Sequence, residues 1–211
     1  MISNIPKLGK KRTGIMGGTF DPIHFGHLLA AEESYRELEL DEVIFVPTGQ
    51  PPHKTSVSSQ ENRYDMTLLA TAGIPYFSVS RMEIDREKSS HTIDTLREFR
   101  KIMGENVEFC FITGLDAILT ISTWNEYMEL PELCRLVTVT RPGYFLKNLD
   151  ELPAKIREAI IFIEIPRFSL SSTNIRERIS EGKGAKYLVP DAVEDYIRKC
   201  KLYLNDNQRG G

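Results

Sequence analysis

The stretch GGTFDPIHFGH at residues 17–27 decides how this chain folds. It follows a short apolar segment at residues 13–16, which predicts a buried strand, and it opens a helical pattern that runs to residue 38. The paired glycines Gly17 and Gly18 let backbone amides approach a ligand closely. The helix start beyond them favours an anion through its free N–H groups and its dipole. This strand–turn–helix unit predicts a parallel α/β fold with an anion site at its first turn.

The rest of the chain repeats the alternation of short apolar segments and helical patterns. Further strands are predicted at residues 43–46, 77–80, 107–112, 136–140 and 160–165. Further helices are predicted at residues 62–71, 92–103, 171–181 and 191–204. Alternation of this kind implies parallel strands joined by helical crossovers, and strands without polar alternation fit a sheet that is covered on both faces.

We therefore predict an α/β fold, a parallel sheet that is covered on both faces, with a small helical C-terminal subdomain. Its predicted parts are an N-terminal extension at residues 1–12, an α/β core at residues 13–166 and the helical subdomain at residues 167–204. Together they are expected to form a single compact domain, because domains usually contain about 100–200 residues and the chain has 211.

The composition narrows the functional classes. A net charge of −3 argues against a protein that coats nucleic acid, because phosphate backbones attract a basic excess. The three cysteines lie far apart without a CxxC pair, so reduced thiols are expected rather than disulfides or a zinc site. No run of about 18 apolar residues predicts a membrane span, and residues 1–12 lack the apolar core of a secretory signal. A cytoplasmic protein is expected, and whether it forms a homo-oligomer is left open.

Two histidines stand at the predicted helix start. His24 and His27 lie three residues apart and therefore project on one helical face, with Gly26 leaving room beside them. Taken singly, each histidine would be interpreted as a helix cap or a core residue. A metal site is not predicted, because the HExxH pattern is absent. The chain also lacks a Walker loop and a GxGxxG fingerprint, so any nucleotide must be held by other means.

The second constellation is SLSSTNIR at residues 169–176. Its hydroxyl residues mark a helix start, with Ser171 or Asn174 as the cap. Arg176 falls in the first turn, where a cation opposes the helix dipole by about 0.3–1 kcal/mol. That placement favours an anion between the guanidinium and the helix end. The alternatives are a polyphosphate site and a helix that is simply well capped.

Three further segments follow predicted strands, where open parallel sheets bind ligands. The loop at residues 47–54 ends in His53 and Lys54, and a solvated loop is the alternative. Gly114 allows close backbone approach, and Asp116 would accept from a ribose hydroxyl or cap the next helix. Trp124, the only tryptophan, would stack on an aromatic ligand or belong to the core.

These motifs together resemble those of a known family. GGTFDPIHFGHL is similar to the GGxFDPxHxGH signature of the nucleotidylyltransferases, and SSTNIR is similar to their SSTxxR element. FVPTGQPPHK, HTIDTL, FITGLDAI, VTRPG and YLVPDAVEDYI narrow the resemblance to the bacterial nicotinate-nucleotide adenylyltransferases. The likeness extends over residues 14–197. It implies a Rossmann-like doubly wound parallel sheet, with residues 13–166 as a nucleotide-binding core. The chain departs from the family at His91, where a tyrosine is usual, and at residues 87–90, where the usual glycine is missing.

The resemblance implies transfer of AMP from ATP to nicotinate mononucleotide, which yields deamido-NAD and pyrophosphate. The attacking phosphate oxygen is already ionised near neutral pH, so direct in-line attack needs no protein base and no covalent intermediate. Positioning and charge stabilisation would then carry the catalysis. Mg²⁺ is expected mainly on the ATP phosphates and water, with few protein ligands. ATP and nicotinate mononucleotide are the expected partners, with neither nucleic acid nor membrane.

The resemblance also implies the site residues. His24 and His27 would donate to the ATP phosphates, and Arg176 would stabilise the leaving pyrophosphate. The other predicted ATP-binding residues are Gly17, Gly18, Thr19, Phe20, Gly114, Asp116, Ser171, Ser172 and Thr173. Lys54, Thr92 and Trp124 are the predicted contacts for nicotinate mononucleotide. Phosphopantetheine adenylyltransferase and a non-catalytic nucleotide sensor are the alternatives; an aminoacyl-tRNA synthetase of class I is excluded by the short chain and the absence of a KMSK-like loop.

Overall fold

Six strands form one parallel sheet in the structure, a computed structural model that describes residues 9–50, 58–140, 149–166 and 170–205. The strands are β1 (Lys11–Gly18), β2 (Glu42–Pro47), β3 (Phe77–Val79), β4 (Val107–Gly114), β5 (Cys134–Thr140) and β6 (Ile160–Glu164). Their spatial order is β3-β2-β1-β4-β5-β6. The order reverses between β1 and β4, which opens a crevice at the carboxyl ends of these two strands. The predicted doubly wound parallel sheet is confirmed.

The first strand begins two residues before its predicted domain boundary. Lys11 and Arg12 already belong to β1 and pair with Val107 and Glu108 of β4. Arg12 is buried, and its guanidinium donates to the Leu38 carbonyl (3.1 Å) and to a Glu108 carboxylate oxygen (3.0 Å). Because two adjacent basic residues suggest a solvated segment, the sequence pattern concealed the start of the strand. The predicted extension at residues 1–12 therefore overlaps β1, and residues 1–8 lie outside the described residues.

The helices flank the sheet on both sides. They are α1 (Phe25–Glu37), α2 (Gln60–Thr71), α3 (Thr92–Met103), α4 (Leu115–Leu119), α5 (Leu130–Leu133), α6 (Ala154–Ala159), α7 (Ser172–Ser180) and α8 (Asp191–Lys199). The three short helices α4, α5 and α6 were not predicted, because four to six residues are too few to show helical periodicity. The helix α8 ends before its predicted end at residue 204, since Lys201 and Tyr203 adopt positive φ angles of 50° and 63°.

Two apolar clusters cover the two faces of the sheet. Ile15 points into one cluster and its neighbour Met16 into the other, as the alternation of a strand requires. On the Met16 side, a Cβ at Gly14 would lie only 2.8 Å from the Leu40 side chain, so the core packs directly on the β1 backbone. Burial on both faces explains why the strands are largely apolar along their central residues.

The described residues include all three cysteines. All three cysteines are free thiols, and burial raises the pKa of Cys110 to about 12. Within the part of the chain that the structure describes, no helix combines the length and the apolar character needed to cross a membrane.

Candidate active site

The turn after β1 is closed by an aromatic ring. Phe20 adopts a positive φ of 51°, and its side chain is buried. A Cβ at Gly18 would lie 2.8 Å from the Phe20 ring, so only glycine fits there. The Phe20 ring in turn meets His27 edge to face, with 5.1 Å between the ring centroids. The glycine pair therefore brings the turn tightly against the histidine that follows it.

The two histidines stack on each other at the start of α1. His24 is the N-cap residue rather than a residue of the helix itself, and its backbone N–H donates to Nδ1 of His27 (3.2 Å). The imidazole centroids lie 3.7 Å apart with the rings 22° from parallel. A Cβ at Gly26 would lie 3.0 Å from two atoms of the His24 ring. The space that glycine leaves is thus occupied by the His24 imidazole.

Both histidines are neutral near pH 7. Burial lowers the pKa of His24 to about 4. Burial also lowers the pKa of His27 well below its ordinary value, and the neighbouring His24 lowers it further. Because Nδ1 of His27 accepts the backbone N–H of His24, this hydrogen bond assigns the ring proton to Nε2. His27 therefore offers a hydrogen-bond donor, and no acceptor, to a ligand.

The late motif lies against the early one. The Arg176 guanidinium donates through Nη1 to the backbone carbonyl of Asp21 (2.8 Å), although the two residues are 155 positions apart. The Ser172 hydroxyl donates to the carbonyl of Pro22 (3.0 Å). Two stretches from opposite parts of the sequence thus form one wall of the crevice beside β1.

The hydroxyl groups of α7 have different tasks. Ser171 is the N-cap, since its Oγ accepts the backbone N–H of Asn174 at 3.2 Å; Asn174 is not the cap. Thr173 accepts a hydrogen bond from Arg176 Nη2 (3.3 Å). Among the described residues, the hydroxyl groups of Ser171 and Thr173 only accept hydrogen bonds, so each can still donate its proton to a ligand. The Ser172 hydroxyl already donates to the Pro22 carbonyl.

The buried Asp21 carboxylate accepts side-chain hydrogen bonds that the sequence did not predict. Its Oδ1 accepts from the Ser58 hydroxyl (2.5 Å) and from the Tyr203 hydroxyl (2.6 Å). Burial and the Asp21 charge raise the pKa of Tyr203, which keeps the phenol protonated as the donor. Asp21 was part of the quoted motif, but nothing in the sequence pointed to Tyr203, which lies beyond the last helix.

The other predicted contacts lie at the same edge of the sheet or next to it. Gly114 and Asp116 are exposed at the start of α4, directly after β4. Trp124 packs edge to face on Phe111 with centroids 6.0 Å apart, and the Phe111 ring lies 3.3 Å from a Cβ placed on Gly17. Trp124 is half-buried, so it belongs to the core at one edge and faces outward at the other.

Thr92 and Lys54 are the two remaining predicted contacts. Thr92 is the first residue of α3, and His91 caps that helix without a side-chain hydrogen bond, so the first N–H groups of α3 are not satisfied by a capping side chain. Lys54 lies outside the described residues.

The sequence also matches known proteins. The model of the cytidylyltransferase-like family matches residues 15–178. The chain is 50% identical over 205 residues to a probable nicotinate-nucleotide adenylyltransferase of Thermoanaerobacter sp. (strain X514), with 94% of this chain and 97% of the relative covered. It is 54% identical over 198 residues to a probable nicotinate-nucleotide adenylyltransferase of Moorella thermoacetica, with 91% of this chain and 91% of the relative covered.

Solved structures share the fold. The Plasmodium falciparum nicotinic acid mononucleotide adenylyltransferase complexed with NaAD superimposes with a TM-score of 0.74 at 22% sequence identity, covering 92% of this chain and 97% of that one. The same enzyme complexed with APC gives a TM-score of 0.72 at 21% identity, with 92% and 97% covered. At these identities the likeness establishes the parallel α/β architecture.

Proposed function

The chain belongs to the cytidylyltransferase-like family, and we infer that it is a nicotinate-nucleotide adenylyltransferase of NAD biosynthesis. It transfers AMP from ATP to nicotinate mononucleotide and releases deamido-NAD and pyrophosphate. The observation that carries this conclusion is the contact between Arg176 and the Asp21 carbonyl, which joins the two signature motifs into one crevice. Relatives that are about 50% identical over nearly the whole chain share the assignment.

The proposed reaction requires correctly positioned substrates rather than a protein base. The nucleophile is a phosphate oxygen of nicotinate mononucleotide, which attacks the α-phosphorus of ATP while the bond to the pyrophosphate oxygen breaks. His27 suits this reaction because its Nδ1 is already occupied, so it can donate to a phosphate oxygen but cannot remove a proton. A neutral donor also costs less to bury than an imidazolium does. We assign His24 and His27 to the phosphates of ATP as charge builds in the transition state.

The start of α7 is the proposed site of the leaving group. Arg176 reaches the crevice from this helix and is fixed by the Asp21 carbonyl and the Thr173 hydroxyl. The hydroxyl protons of Ser171 and Thr173 and the first N–H groups of α7 all point to an anion as the ligand. We assign Arg176, Ser171 and Thr173 to the β- and γ-phosphates, and Ser172 to holding the two motifs together.

The remaining contacts are assigned from their places along the sheet edge. We assign the backbone groups of the turn after β1 to the two nucleotides and the start of α4, directly after β4, to the adenosine side. The residues concerned are Gly17, Gly18, Thr19 and Phe20 in the turn, and Gly114 and Asp116 at α4. We propose that the nicotinate ring stacks on Trp124 and that its carboxylate meets Thr92 and the uncapped N–H groups of α3.

Mg²⁺ is proposed to enter with the substrate as MgATP. The described residues contain no group of three or more histidine, cysteine, aspartate or glutamate side chains that would hold a metal ion. Oxygen ligands from the triphosphate and water would satisfy Mg²⁺, which usually keeps several waters when it is bound with phosphates. The use of ATP and the free cysteines support a cytoplasmic place of action.

The proposed function is tested by assaying pyrophosphate release with ATP and a panel of acceptors. Nicotinate mononucleotide is expected to give turnover about 5- to 150-fold faster than nicotinamide mononucleotide. The amide keeps one acceptor oxygen, but its NH2 group would face an N–H donor of α3, and leaving that N–H unpaired costs on the order of 1–3 kcal/mol. Phosphopantetheine is expected to give none above background. Faster turnover with the amide would contradict the substrate assignment, and ATP binding without pyrophosphate release on any acceptor would contradict the reaction.

A further inference from the structure

Arg63 is a buried arginine near the start of α2, and it has no assigned role in the proposed reaction. Its side chain is 1% exposed. The guanidinium donates to three backbone carbonyls: Nη1 to Thr19 (3.0 Å) and Thr48 (2.5 Å), and Nη2 to Gly49 (2.8 Å). Thr19 follows β1, whereas Thr48 and Gly49 follow β2. One side chain thus joins the turns that leave two adjacent strands.

Burying the charged Arg63 guanidinium costs folding free energy. Burial lowers the pKa of Arg63, which records the unfavourable desolvation of its charge. Asp21 and Glu83 are the acidic groups that favour its charged form, but its hydrogen bonds go to carbonyls. The contacts with the three carbonyls offset that cost only while all three carbonyls are held in place, so the guanidinium fixes the relative positions of the segments it joins.

The two turns that Arg63 joins are held closely from other directions as well. The Thr48 N–H donates to the carbonyl of Gly18 (2.9 Å), so the second turn is tied to the glycine pair. A Cβ on Gly49 would lie 2.0 Å from the carbonyl oxygen of Glu83, so the backbone passes that residue without space for a side chain. The planar, rigid fork of an arginine can hold three carbonyls in one geometry, which a lysine cannot reproduce.

We propose that Arg63 is a positioning residue for adenylyl transfer, which fixes the separation between the turn after β1 and the turn after β2. The inference rests on the proposed function. The first turn carries residues assigned to both nucleotides, and the second turn precedes Lys54 in the sequence, a predicted contact for the phosphate or the carboxylate of nicotinate mononucleotide. The distance between the turns therefore sets how the attacking oxygen lines up with the α-phosphorus. Misalignment of about 1 Å can cost about 100-fold in rate without weakening the binding of either substrate.

The test compares Arg63→Lys with Arg12→Lys. Arg12 is a matched control, because it is also buried and also donates to a backbone carbonyl, but it lies at the amino end of β1, opposite the crevice. For each variant, thermal unfolding, kcat, and KM for ATP and for nicotinate mononucleotide are measured. Arg63→Lys is expected to lose about 10- to 100-fold in kcat with both KM values within about threefold of wild type. Arg12→Lys is expected to lose stability at unchanged kcat.

Different results would contradict the positioning role of Arg63 and the proposed function. Wild-type kcat in a folded Arg63→Lys variant, or an equal loss of kcat in Arg12→Lys, would overturn the positioning role. Inactivity of the wild-type protein in the same assay would instead overturn the proposed function. If Arg63→Lys does not fold, Arg63→Met takes its place, since it fills the volume without a buried charge. The same loss of kcat at unchanged KM is expected there, and wild-type kcat would again refute the role.

Discussion

Replacing His27 with alanine is expected to slow adenylyl transfer by about 100- to 1000-fold, the usual cost of removing one donor aimed at developing charge. The loss should fall on kcat more than on the KM for ATP, because the proposed hydrogen bond strengthens as the α-phosphate gains charge. The measurement is the steady-state rate of pyrophosphate release with ATP and nicotinate mononucleotide. Thermal unfolding of the same sample shows whether the loss of the His24–His27 stack has also destabilised the protein, and so separates a catalytic loss from a folding defect.

A glutamine at position 27 provides the matched variant. Its Oε1 can accept the His24 N–H, as Nδ1 of the imidazole does, while its Nε2 can still donate to a phosphate oxygen. His27→Gln should therefore recover part of the rate that His27→Ala loses. Near-normal turnover in a folded His27→Ala variant would remove this histidine from the mechanism.

Replacing Arg176 with alanine is expected to cost about 1000-fold in kcat, at the lower end of what an arginine on transferring phosphates contributes. The alanine removes the charge that is proposed to stabilise the leaving pyrophosphate, and it also removes the contact with the Asp21 carbonyl. Pyrophosphate release again measures the effect, with the KM for ATP rising as the β- and γ-phosphates lose a partner.

The control for this variant lies on the same helix. Arg178 is exposed in the last turn of α7, two residues further along and directed elsewhere. Arg178→Ala removes an equal charge from the same helix and should keep wild-type kcat. If both variants lost activity to the same extent, the effect would be a property of the charge of α7 rather than of the crevice.

Strand positions and the two signature motifs could be predicted from the sequence, and the reasons are local. Each strand is a short apolar run between breaking residues, and each motif lies just after a strand, where parallel sheets bind ligands. Their convergence is visible only in the structure. Because β1 lies in the middle of the sheet, the turn after it is accessible to a C-terminal helix, and Arg176 and Ser172 contact that turn.

The buried polar contacts could not be predicted, because each depends on three-dimensional packing. Arg63 falls in an ordinary helical pattern, and only the structure reveals that it reaches the Thr19 and Thr48 carbonyls. Tyr203 meets Asp21 only because the chain turns back after α8, through residues whose left-handed backbone no local pattern signalled.

The most direct test of the central claim is the stereochemistry at the α-phosphorus. ATP that carries a single sulfur-substituted diastereomer at this atom is converted with nicotinate mononucleotide, and the configuration of the product is determined. One direct displacement by the mononucleotide phosphate requires inversion of configuration. Retention would mean two successive displacements through a covalent adenylyl-enzyme, and it would contradict direct attack by the mononucleotide phosphate.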